Sequence, residues 1–117
     1  MLLYLPLQNH TFKLENKLNK LQIAEKFAKS LNYEEIKKVI LFGSVARGID
    51  RKKSDIDILI VTTGDRFKLK RRLMDMVFDY FSKFNVYISL KVISIEDYER
   101  LSNTHFISEI KNNGIEI

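Results

Sequence analysis

The chain has no cysteine and no tryptophan, a single proline, Pro6, and four glycines in 117 residues. Without cysteine there is neither a disulfide scaffold nor a thiolate metal site, a composition that suits the cytoplasm. Scarce proline and glycine, and the lack of repeats or linker-like stretches, leave nothing to divide the chain, which reads as one domain over residues 1–117. No apolar run approaches the roughly 20 residues that a membrane-spanning helix needs. The apolar opening MLLYLPLQNH has no cationic leader, is interrupted by Pro6 and lacks a small-residue cleavage pattern, so it does not read as a signal peptide. Charge of one sign is also modest. Twenty Lys and Arg against 15 Asp and Glu leave +5, which favours anionic partners without choosing among nucleotides, nucleic acid and an acidic protein face.

What is present is a series of switches in hydrophobic period. Leu14, Leu18, Leu21, Ala24, Phe27, Ala28 and Leu31 recur at helical spacing and predict an amphipathic helix from about Glu15 to Leu31. Ile36–Phe42 (IKKVILF) and Asp55–Val61 (DIDILIV) are short β-branched runs, each closed by a turn signal, and read as strands. From Arg66 to Phe84 a second amphipathic helix is expected, with Leu73, Met74, Val77, Phe78, Phe81 and Phe84 facing the core and Lys68, Arg72, Asp75, Asp79 and Ser82 on the other side. Val86–Ile93 alternates as a third strand, Ser94-Ile95-Glu96-Asp97 resembles a capping box, and the tail predicts a last helix stopped near Gly114 with a short extended end. This order implies an α/β (α+β) fold, a small mixed β-sheet backed by helices.

The chemistry concentrates in GSVARGIDRKKSDID, residues 43–57. Gly43 can take a backbone conformation that other residues avoid, and Ser44 can cap a short helical turn. A strand ending in Gly-Ser at a helix start offers N–H groups and a hydroxyl to an anion such as phosphate, and Arg47 can add a charge-assisted contact. Side chains alternate along a strand, so Asp55 and Asp57 point the same way, about 7 Å apart, while Ile56, Ile58 and Ile60 point into the core. Two carboxylates on one face repel each other unless a cation compensates, and hard oxygen ligands suit Mg²⁺. The plain structural reading, acidic residues that solubilise a strand end, is weakened at Asp57 because Asp is disfavoured within strands.

Gly43-Ser44, ten intervening residues, then Asp55-x-Asp57 resembles the signature of the DNA polymerase β-like nucleotidyltransferase superfamily, and GSVARG is similar to its minimal nucleotidyltransferase branch. The resemblance covers about Ile36 to Ile93. It implies transfer of a nucleoside monophosphate from ATP or another nucleoside triphosphate to an acceptor hydroxyl with two Mg²⁺ ions. Gly43 and Ser44 would then hold the triphosphate, and Asp55 and Asp57 would ligate the metals. Members of the branch resemble antitoxins encoded with a helical HEPN-type toxin, to which they transfer AMP. The third carboxylate that fully armed members carry on the next strand has no counterpart in NVYISLKVI, where Ser89 is the expected vacant position; Glu96 and Asp97 are the substitutes nearest in sequence. A second reading follows, a weakened nucleotide-binding module that controls its partner by association alone.

Other candidates carry less chemistry. The basic run Arg66–Arg72 is expected to be a solvated face, with Arg71 or Arg72 paired to Asp75, or else a surface for an acidic protein partner. Nucleic acid fits less well, since no exposed aromatics are expected to interleave the run. Arg51-Lys52-Lys53 reads as solvated but within reach of a triphosphate. His10 and His105 are isolated and receive no role. A homo-oligomer is left open.

Overall fold

The computed structural model describes residues 18–117. The apolar opening, His10 and the stretch Leu14–Lys17, where the first helix was expected to begin, lie outside the described residues. Helix α1 spans Lys20–Lys29 and starts at a capping box: Asn19 accepts from the Gln22 N–H while the Gln22 side chain accepts from the Asn19 N–H. These local bonds fix the start of α1 at Lys20. On α1 the buried residues are Ile23, Ala24 and Phe27, whereas Leu21, expected in the core, is exposed.

Strand β1 (Ile36–Phe42) leads into a four-residue helical turn, α2 (Gly43–Ala46), and β2 (Ile56–Thr62) follows the loop. Helix α3 (Arg66–Phe84) begins at Asp65, whose carboxylate accepts from the Phe67 and Lys68 N–H groups, and ends at Asn85 in the left-handed conformation. Next come β3 (Ile88–Ser94), α4 (Ile95–Arg100), α5 (His105–Asn113) and a two-residue strand, β4 (Ile115–Glu116). Both α4 and α5 open on hydroxyl caps, Ser94 and Thr104.

The sheet order is β3-β2-β1-β4. Strand β1 runs antiparallel to β2 and β4, and β2 runs parallel to β3. The expected mixed sheet backed by helices is therefore what the chain forms. Its two faces are covered unequally. On one face, Val39, Leu41, Ile56, Ile58, Ile60, Ile88 and Leu90 pack with residues of α1 and α3 into the larger core. On the other, Ile40, Leu59 and Val61 pack under Tyr98, Ile107 and Ile110 of α4 and α5. β2 is thus buried on both sides along most of its length, which is why it reads as a nearly continuous apolar run. The second face is left open where β2 begins, around Asp57 and its strand neighbours.

Helix α3 does not bury the whole expected stripe. Leu69, Leu73, Val77 and Tyr80 face the core, with the Tyr80 ring edge-on to Phe27, 5.4 Å between centroids. Phe78 and Phe81 are exposed, as is Phe67 within the basic run. The expectation that no exposed aromatic accompanies those cations is therefore overturned. The apolar residues of α3 span too wide an arc for one sheet face to cover.

Candidate nucleotide and metal site

The site forms where β1 ends and β2 begins. Gly43 takes φ +75°, a left-handed value that costs other residues, and turns the chain from β1 into α2. Phe42, not Ser44, is the N-cap, and it contributes no side-chain hydrogen bond. This corrects the expected capping role for Ser44, which is the second residue of the turn; its hydroxyl has no hydrogen-bond partner among the described residues. A free hydroxyl beside uncapped N–H groups is the arrangement an anion requires. Arg47 ends the turn, exposed and without an ion pair among the described residues.

Asp57 lies opposite Phe42 in the β1–β2 ladder and opposite Ser89 in the β2–β3 ladder. Its carboxylate packs against the bare Gly43 backbone, with Cγ 3.1 Å from where a Cβ would stand. Burial pushes the Asp57 carboxyl above its ordinary range, the charge of Asp55 pushes it further, and Lys91 partly offsets both. Such a mutually repelling pair, Asp57 half-buried and Asp55 exposed, is chemically suited to a divalent cation, whose charge would relieve the repulsion. No group of three or more His, Cys, Asp or Glu assembles among the described residues. Ser89, the residue expected at the vacant third position, lies at the same sheet level as Asp57. Glu96 and Asp97 cannot supply a third ligand there: they follow the far end of β3, about 17 Å along the strand from Ser89. Asp97 is moreover engaged by Arg100 at 3.0 Å, and its N–H donates to the Ser94 hydroxyl.

Asp55 lies just before β2, exposed, at the end of a loop that the sequence reading treated as solvated. The loop has a support that reading missed. Lys20, at the first position of α1, donates its ammonium protons to the carbonyls of Arg51, Lys52 and Ser54 at 2.7, 3.2 and 2.6 Å. The Ser54 hydroxyl accepts from the Arg51 N–H, and the Ile56 N–H donates to the Tyr87 carbonyl. Asp55 is therefore held from both sides, although no spacing rule links Lys20 to a loop more than thirty residues away.

Two concavities flank the carboxylates. One, about 210 Å³ and mostly apolar, lies against Gly43 between Phe42, Arg47 and the α5 residues His105, Phe106, Glu109 and Ile110. Its walls include the edge-to-face pair Phe42–Phe106, 5.6 Å between centroids. His105, which received no role from its sequence context, thus faces the site. The other, about 390 Å³, adjoins Asp55 and is lined by Lys52, Lys53, Ser54, Phe81, Asn85 and Tyr87.

The family model described as polymerase beta, nucleotidyltransferase matches residues 21–117, a span that includes Gly43, Ser44, Asp55 and Asp57. The chain belongs to this nucleotidyltransferase family. Two proteins of Methanocaldococcus jannaschii, whose names carry the words protein adenylyltransferase, are similar to it. One is 32% identical over 101 residues, covering 83% of this chain and 97% of the relative; the other is 41% identical over 68 residues, covering 58% and 60%. Among solved structures, a mutant form of the toxin–antitoxin MntA-HpeT aligns at a TM-score of 0.52 and 21% identity over 86% of this chain and 72% of that one, a likeness of fold. No helix among the described residues of this nucleotidyltransferase-family chain is long and apolar enough to cross a membrane.

Proposed function

We propose that this chain binds Mg²⁺-ATP and transfers AMP to a hydroxyl of a protein acceptor. The observation that carries the reading is the contact of Gly43 with Asp57: the turn suited to phosphates and the carboxylates suited to metal meet at one point of the open sheet face. Gly43, Ser44 and Arg47 would hold the triphosphate. Asp55 and Asp57 would hold Mg²⁺, which, when bound, stabilises charge on the entering and leaving oxygens. The acceptor oxygen bonds to the α-phosphorus, the bond from that phosphorus to the bridging oxygen of the β-phosphate breaks, pyrophosphate leaves, and the acceptor proton passes to solvent at the open face. The apolar cavity bounded by Phe42 and Phe106 suits the base, being flat-walled, aromatic and contiguous with Gly43.

A protein acceptor is supported by the names of the two archaeal relatives, and a toxin partner by the toxin–antitoxin neighbour of like fold. On this reading the chain acts as an antitoxin and its partner is a helical HEPN-type protein. Incubation with labelled ATP, Mg²⁺ and a purified helical HEPN-type protein should label that protein, and Asp55→Ala with Asp57→Ala should abolish the label. Phe106→Ala should weaken ATP binding about tenfold while leaving tripolyphosphate binding unchanged. A second reading has its own support: Ser89 stands in register with Asp57 where a third carboxylate would serve turnover. In that case the protein binds Mg²⁺-ATP and the partner but leaves no label.

A further inference from the structure

Helix α3 carries an apolar stripe that nothing among the described residues covers. Phe67 is 67% exposed, Phe78 59% and Phe81 49%. At 3.6 residues per turn these three, with half-buried Met74 between them, fall within about 60° of arc. Beside the stripe, on one flank, Lys68 and Arg71 occupy the first half of the helix and Asp75 and Asp79 the second. Among the described residues none of these four charged side chains is in an ion pair. The expected Arg71–Asp75 or Arg72–Asp75 pairing is not made; Arg72 instead lies 4.0 Å from Glu35.

This pattern is complementary to itself. Two copies of α3 packed antiparallel about a two-fold axis bring the same flank of each together, running in opposite directions, so the cationic half of one lies along the anionic half of the other. With the axis at Met74, Phe67 of one copy rests beside Phe81 of the other, and Arg71, on the edge of the stripe, comes level with Asp75 to within about 3 Å along the helix. We propose that the protein forms a two-fold dimer through α3, closed by the Phe67, Met74, Phe78 and Phe81 stripe and registered by Arg71–Asp75 pairs between copies. A nucleic-acid ligand fits this face less well, because Asp75 and Asp79 beside Phe78 and Phe81 would repel phosphates. The dimer also reaches the site: Phe81 lines the groove next to Asp55, so Phe67 of the second copy would form part of that groove's wall.

The inference is independent of the nucleotide reading and is tested without nucleotide. Sedimentation velocity of the full chain over a micromolar concentration series should show a monomer–dimer equilibrium. Arg71→Glu and Asp75→Lys should each weaken dimerisation about tenfold, since each turns two attractive contacts repulsive. Within one chain these residues lie four positions apart, and any contact between them there is the same whichever partner is bound. Mixing the two singly substituted proteins should therefore restore the dimer, because both contacts of the mixed pair are again of opposite sign. Phe78→Gln should give a monomer that retains its circular dichroism spectrum and melting temperature. A wild-type protein that stays monomeric throughout, a dimer unaffected by Phe78→Gln, or mixed variants no tighter than each alone would overturn the proposal.

Discussion

Gly43 and Asp57 are fitted to each other: the Asp57 carboxylate occupies the space that any side chain at position 43 would need, and its Oδ2 would clash with a Cβ built there. Gly48 is a natural control, with φ +70° and nothing within 4 Å of its added Cβ. Both Gly43→Ala and Gly48→Ala should cost about 1–2 kcal/mol through the left-handed backbone alone. Only Gly43→Ala should also reduce Mg²⁺-ATP affinity, by about tenfold or more, because it displaces the carboxylate proposed to hold Mg²⁺. Urea unfolding and calorimetry on the two variants separate the effects; equal affinities would reject the proposed convergence.

The raised Asp57 carboxyl makes a pH prediction whose sign is fixed. Native Asp57 keeps its proton to higher pH than the unfolded chain does, so stability falls as pH rises from the unfolded-state value through the folded one. Asp57→Asn should therefore match the wild type below that window and melt about 1–3 °C higher at neutral pH without metal. Added Mg²⁺ should narrow the difference by stabilising only the wild type. A variant that melts lower at neutral pH would contradict this.

Lys20 tests the support of the loop. Lys20→Met keeps most of the side-chain length but removes three donors to the loop carbonyls. Mg²⁺-ATP affinity should fall about three- to tenfold while the helical signal is retained. Unchanged affinity would mean that Asp55 is held well enough by the β2 ladder.

Ser89→Asp places a carboxylate in register with Asp57 and next to exposed Lys91. Mg²⁺ affinity or transfer rate should rise about tenfold, provided Asp55 and Asp57 are intact. A folded Ser89→Asp protein with no gain would show that register alone does not complete the ligand set.

Local chemistry determined a good deal of this protein. β-Branched runs marked β1 and β2, and helical periodicity placed α3 at Arg66–Phe84, because both signals arise between residues close in sequence. The pairing of Gly43-Ser44 with Asp55-x-Asp57 was equally legible, since it too belongs to one stretch of chain. Tertiary structure alone decided which apolar residues are covered. Phe78 and Phe81 have the same hydrophobicity as buried residues, but the sheet face meets only one arc of α3, and they fall outside it. It likewise brought Lys20 to the loop before Asp55, His105 and Phe106 to the cavity beside Gly43, and Ser89 into register with Asp57. Those relationships join residues tens of positions apart, and they depend on strand order and helix placement, which no local periodicity encodes.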